Sequence, residues 1–124
     1  MPKILVIEDD TSFRSVLMQM LLKAGYEVTE ASNGDQAIKL CPSFKPDLVL
    51  TDIIMPDKEG LETIREMLVL CPEIKIIAMS GGGRIGPDSY LPLAKMFGAK
   101  ATLQKPFMRD ELLATIEQVL NLPD

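Results

Sequence analysis

Residues 3–11 read Lys3-Ile4-Leu5-Val6-Ile7-Glu8-Asp9-Asp10-Thr11, and the abrupt change inside this stretch decides the fold. A short apolar, β-branched run gives way at once to three acids and a threonine, as a buried strand does where it meets a polar edge. Phe13, Leu17, Leu21 and Ala24 then repeat at helical spacing, Val16 and Met20 widen the stripe, and Gly25 is placed to close a helix at its C-terminal side. A buried strand followed directly by an amphipathic helix is the repeating unit of a parallel α/β sheet.

The unit recurs along the chain. Tyr26 to Glu30 reads as a second, more polar strand, and Asn33-Gly34 marks a turn or N-cap before a short helix through about Cys41, which Pro42 should end. Asp47 to Thr51 is a third strand. Leu61, Ile64, Met67 and Leu68 follow the Pro56 loop at helical spacing, with Pro72 as terminator, and Ile74 to Met79 supplies a fourth strand. A fourth helix is expected around Tyr90 to Phe97, closed by Gly98, before a short fifth strand at Lys100 to Leu103. Leu112, Leu113, Ile116, Val119 and Leu120 line a last amphipathic helix. Five strands alternating with five helices need crossover connections, so the expected architecture is a doubly wound, five-stranded parallel sheet covered on both faces. No repeat, linker or low-complexity tract interrupts it, and residues 1–124 read as one domain.

The chain is 124 residues long, 47% hydrophobic and 25% charged, enough apolar material for one core. A net charge of −5 argues against a broad footprint on nucleic acid or anionic membrane, so DNA binding would need another domain. No apolar run approaches the roughly 20 residues that span a bilayer, and the N-terminus lacks a signal-peptide order, so a cytoplasmic location is expected. The absence of histidine removes Ser/His/Asp and Cys/His nucleophilic systems and histidine-ligated zinc. Cys41 and Cys71 each precede a proline, form no Cys-x-x-Cys pair, and read as reduced, structural thiols.

Chemistry must therefore rest on carboxylates, a hydroxyl and lysines. Ligands of such a sheet bind at the C-terminal edge of its strands. That edge should gather Glu8, Asp9 and Asp10 from strand one, Asp52 from strand three, Ser80 from strand four and Lys105 after strand five. Crowded carboxylates repel one another and call for a cation or raised pKa values. An all-oxygen set favours magnesium, which takes one or two carboxylates and keeps several waters, and Asp9 and Asp52 suit it. Taken singly, each residue has a plainer reading: Asp52 as a cap, Asp10 as a partner of the helix-one N-terminus, Ser80 as a loop hydroxyl. Gly81-Gly82-Gly83 with Gly86 lacks the Gly-Lys-Ser/Thr ending of a phosphate loop.

Over nearly its whole length the chain resembles the response-regulator receiver family. Three signatures carry the resemblance: Ile4-Leu5-Val6-Ile7-Glu8-Asp9-Asp10, then Asp47-Leu48-Val49-Leu50-Thr51-Asp52-Ile53-Ile54-Met55-Pro56, then Lys105-Pro106-Phe107. It implies a flavodoxin-like fold with strand order 2-1-3-4-5 and a cis Lys105–Pro106 bond. It also implies Asp52 as phosphoacceptor, with magnesium held by Asp9, Asp52 and the Ile54 carbonyl and with Glu8 acting through a metal-bound water. Ser80 and Lys105 would then engage the phosphoryl group together with the Gly81 backbone amide. The implied partners are a sensor histidine kinase or histidine phosphotransfer protein as donor, and a downstream protein or separate output domain as reader.

The chain departs from the family in two places. Ser80 to Gly98 is a few residues longer than usual, so residues 81–88 are expected to be mobile until phosphorylation orders them. Thr102 stands where many receivers carry Tyr or Phe, leaving Ser80 and a small Thr102 as the switch positions. The expected function is a phosphorelay switch that catalyses only its own phosphorylation and dephosphorylation, and so is not an enzyme acting on a separate substrate. The alternative is a pseudo-receiver that binds partners without phosphorylation, against which the complete Asp9, Asp52, Ser80 and Lys105 set speaks. An aspartyl phosphohydrolase needs a second acid two residues after the first, where Ile54 stands. A flavin protein of this fold wants a phosphate-cradling loop where this chain has three acids.

Overall fold

The computed structural model describes residues 2–53, 60–80, 95 and 98–123. In chain order the elements are β1 (Lys3–Ile7), α1 (Thr11–Lys23), β2 (Glu27–Ala31), α2 (Gly34–Phe44), β3 (Leu48–Asp52), α3 (Gly60–Leu70), β4 (Lys75–Ser80), β5 (Ala101–Gln104) and α4 (Arg109–Leu120). Every strand pair is parallel, and the sheet order is β2-β1-β3-β4-β5. The described residues hold four helices where five were expected. The remaining one, around Tyr90–Phe97, lies outside them except for Lys95, whose backbone is helical. No described helix is long and apolar enough to cross a membrane.

Local chemistry accounts for the helix ends. Asp10 caps α1 by accepting the Phe13 N–H at 3.1 Å, and Asn33 caps α2 by accepting the Gln36 N–H at 2.9 Å, each satisfying an amide that the first turn leaves without a partner. Gly25 at φ 96° and Gly98 at φ 121° occupy backbone that side chains disfavour, where glycine is at home. The expected stop at Pro42 is corrected, because α2 runs through it to Phe44. Proline removes one donor and leaves its φ helical, so in a last turn the loss is a single hydrogen bond. The helix ends instead at Lys45, left-handed at φ 54°, whose N–H reaches the Cys41 carbonyl at 2.9 Å.

Four strands begin and end one residue later than the apolar runs suggested, so that β3 contains Asp52 and β4 contains Ser80. Hydrophobicity marks where side chains are buried, whereas the ladder continues as long as the backbones pair. Asp52 is still opposite Met79, and Ser80 opposite Gln104.

The strands alternate with period two between two cores. Ile4, Val6, Leu48, Leu50, Ile77, Met79 and Leu103 pack with Leu17 and Leu21 of α1 and Leu112 and Ile116 of α4. Leu5, Ile7, Val49, Ile76 and Ala78 pack on the other face with Ala37 and Cys41 of α2 and Ile64 and Met67 of α3. At the strands' N-terminal edge Lys75 donates to the carbonyls of Leu120 (3.3 Å) and Leu122 (2.5 Å), holding the end of α4.

Candidate functional site

The pleat aims three charged side chains to one side of the C-terminal edge. Ile4 and Val6 face the α1–α4 core, and Glu8 is next in that alternation; Leu48 and Leu50 lead in the same way to Asp52, and Leu103 to Lys105. The Lys105 Nζ donates to Glu8 Oε1 at 2.5 Å and to Asp52 Oδ2 at 2.9 Å. Glu8 is 1% exposed and Asp52 7%, while the Lys105 side chain retains 17%. The second Glu8 oxygen accepts the Asp10 N–H at 3.1 Å. Lys105 is fixed from its backbone as well, its N–H donating to the Ser80 carbonyl at 2.8 Å ahead of a cis bond to Pro106.

Burial and mutual charge shift two of these groups. Removal from water pushes the Glu8 carboxyl above the usual range, only partly opposed by its hydrogen bonds from Lys105 and the Asp10 amide. Burial alone would lower the Lys105 amine, but hydrogen bonds and negative charge from Glu8 and Asp52 outweigh it and hold the ammonium above the ordinary lysine value.

Glu8, Asp9 and Asp52 present carboxylate oxygens that lie within 4.8 Å of one another. An octahedral magnesium with bonds of about 2.1 Å spaces its oxygens about 3 to 4.2 Å apart, so the set fits with small adjustments. Asp9 is exposed and faces solvent that would supply the ion's waters. Ser80 is fully buried at the end of β4, one residue past the partner of Asp52. Thr102 lies opposite Ala78 in mid-β5, partly buried. The Ile54 carbonyl, the Gly81 amide and residues 81–88 fall outside the described residues.

Two neighbours escaped the sequence reading. The Phe13 ring lies 4.5 Å from the Lys105 ammonium and stacks edge-on with Phe107 at 5.8 Å, so an aromatic face carries the lysine toward the acids. Phe13 had registered only as part of the α1 apolar stripe; its place three residues after the Asp10 cap, at the sheet edge, was the available clue. Arg14 joins its Nη1 to the Glu8 carbonyl at 2.6 Å and its Nε to Glu30 at 2.8 Å, fixing the backbone that bears the acids.

The family model of the response regulator receiver domain matches residues 4–117. The chain belongs to that family. Among relatives of the receiver, the chemotaxis protein CheY of Thermotoga maritima is 34% identical over 118 residues, covering 94% of this chain and 96% of its own. Sporulation initiation phosphotransferase F of Bacillus subtilis is 32% identical over 120 residues, covering 97% and 94%. A CheY-like receiver domain structure from Methanospirillum hungatei superposes with a TM-score of 0.88 at 29% identity, covering 98% of this receiver and 94% of that chain. The parallel sheet in order 2-1-3-4-5 is thus the receiver fold, in a domain related to proteins of two-component signalling.

Proposed function

We propose that this receiver takes a phosphoryl group onto Asp52 from a phosphohistidine, on a sensor histidine kinase or a histidine phosphotransfer protein, and that a downstream protein or output domain reads the result. The observation that carries this reading is the Lys105 ammonium bridging Glu8 and Asp52, whose carboxylates converge with that of Asp9. Asp9 and Asp52 would hold magnesium directly, with the Ile54 carbonyl, and Glu8 would act through a water. When bound there, the ion would supply positive charge against the phosphoryl oxygens.

The protein's own part is positioning and electrostatics. Asp52 attacks phosphorus as the phosphorus–nitrogen bond of the donor breaks, and the imidazole leaves with the electron pair. Lys105 then has phosphoryl oxygens to pair with, and Ser80 with the Gly81 amide supplies hydrogen bonds from the neighbouring strand end. The added charge is the input, and rearrangement around Ser80 and the small Thr102 is the output. The domain would catalyse only the making and breaking of its own acyl phosphate, in the cytoplasm, where such donors meet magnesium. Retention of the Asp9, Asp52, Ser80 and Lys105 set favours this over binding without phosphorylation.

Intact mass after treatment with a small acyl phosphate tests it. With magnesium the native chain gains one phosphoryl group, with chelator it gains none, and Asp52→Asn gains none in either case. An unshifted native mass, or equal labelling of Asp52→Asn, overturns the proposal. Asp9→Ala should weaken magnesium binding by at least about tenfold, the lower bound for disturbing even an outer-shell group. Its chelator melting temperature should not fall, since removing one of several crowded acids relieves repulsion. Calorimetric titration with unchanged affinity would remove Asp9 from the metal site.

A further inference from the structure

Cys41 and Cys71, thirty positions apart, bring their sulfurs to 3.2 Å on the far side of the sheet from Lys105. Both are free thiols. Cys41 lies in the last turns of α2 and is fully buried, whereas Cys71 directly follows α3 and is partly exposed. The contact exists because α2 and α3 pack side by side over β1, β3 and β4. A disulfide is about 2.05 Å long. The sulfurs therefore have only about 1 Å to close, within reach of side-chain torsion.

We propose that Cys41 and Cys71 form an oxidisable pair, which a peroxide converts to an intramolecular disulfide and a thiol reductant restores. The inference is independent of phosphoryl transfer at Asp52. Access sets the order of events. Cys71 opens on a cleft of about 840 Å³ at the N-terminal edge of the sheet, which it lines with Lys45, Asp47, Glu73 and Lys75. Cys41 has no exposed surface, and burial, with its hydrogen bond to Cys71, pushes its thiol up to about 12. Cys71 is therefore the attacking sulfur and Cys41 the resolving one.

In the first step the Cys71 thiolate attacks one oxygen of hydrogen peroxide, the O–O bond breaks, and the departing hydroxide takes up a proton to leave as water. Cys71 is then a sulfenic acid. In the second step the Cys41 sulfur attacks the Cys71 sulfur, the S–O bond breaks, and the hydroxide leaves with the Cys41 proton as a second water. Two thiols have lost two electrons and two protons, and one peroxide has become two waters. Contact between the sulfurs makes the second step effectively intramolecular, which offsets the weak acidity of Cys41. The bond would close a loop that contains β3, with Asp52, and α3, restricting the unfolded chain far more than the folded one.

The test treats the native chain, Cys41→Ser and Cys71→Ser with hydrogen peroxide, followed by thiol counting in denaturant and non-reducing peptide mapping. In the native chain both thiols should disappear together, with a peptide linking 41 to 71 and full recovery in dithiothreitol. Cys71→Ser should keep its remaining thiol at that dose, and Cys41→Ser should carry Cys71 to sulfenic acid or beyond. Melting the same peroxide-treated sample before and after dithiothreitol isolates the cross-link from methionine oxidation; the linked form should melt at least about 5 °C higher. The proposal is overturned if native Cys71 is over-oxidised while Cys41 stays a thiol, if linkage between chains predominates, or if the linked form melts no higher.

Discussion

Lys105→Ala, unfolded by urea in chelator at pH 7, is expected to lose about 3 kcal/mol, the lower end of the cost of removing one partner from a buried ion pair. The lower end applies because the Lys105 side chain keeps 17% of its surface in water. What makes the loss large is what remains: the carboxylates of Glu8 and Asp52, both buried, stay close together without the Lys105 ammonium that joined them. Magnesium bound as proposed would supply the missing charge, so millimolar metal should return a substantial part of the stability to the variant and shift the native chain less. Protons should act in the same direction. A carboxyl whose native pKa lies above its unfolded value, as that of Glu8 does, binds protons more readily when folded, so charging it costs stability as pH rises through the native pKa. The deficit of Lys105→Ala should therefore shrink between pH 7 and pH 5. In the native chain the raised Lys105 amine contributes stability that is present below the unfolded lysine pKa and is lost as pH rises through the folded one, so alkaline destabilisation should be steeper than in the variant. Labelling by a small acyl phosphate should slow about 100-fold or more, as for removal of one preorganised donor. A variant as stable as the native chain in chelator, with no extra response to magnesium, would show that Lys105 does not neutralise the two acids.

Residues 3–11 announced both a buried strand and its polar edge because burial and strand end coincide there. The Asn33 cap was legible for a similar reason, since the side chain and the amide it accepts are three residues apart, whereas Asp10 was placed at the helix-one N-terminus for its charge and turns out to cap it. Convergence of Glu8, Asp52 and Lys105 followed from topology alone, as parallel strands must end at one edge. Their pairing did not, because it depends on the register that sets Ile7 opposite Thr51 and Asp52 opposite Met79. The end of α2 was misplaced because proline is the stronger signal in the sequence, while the residue that stops the helix is a lysine in left-handed backbone. Contacts between helices were invisible altogether. Cys41 and Cys71 meet, and Phe13 reaches Lys105, only once each helix has been laid on its face of the sheet.

Leu50→Ala should be the most damaging single truncation in the α1–α4 core, at about 3–4 kcal/mol. Leu50 is fully buried in the middle of the central strand, opposite Val6 on one side and Ile77 on the other, and packs in the cluster that includes Leu17, Leu21, Leu112 and Ile116. Three strands and two helices meet around it, so no single element can move in to fill the space, and the cavity cost adds to the lost transfer energy. Leu50→Met, which nearly conserves volume, should cost less than about 1.5 kcal/mol, and Val16→Ala on the half-exposed surface of α1 less than about 0.5 kcal/mol. Leu50 also lies two residues before Asp52 on the same side of the strand, so the truncation separates scaffold from site. The backbone of Asp52 is held by the β3–β4 ladder and its carboxylate by Lys105, neither of which includes the Leu50 side chain. Folded Leu50→Ala should therefore bind magnesium within about threefold of the native affinity, while its urea midpoint falls by the full amount with the slope unchanged. A loss under about 1.5 kcal/mol would mean that the two helices collapse onto the gap. A large loss of metal affinity in the folded variant would mean that the core, and not the strand ladder, sets the position of Asp52.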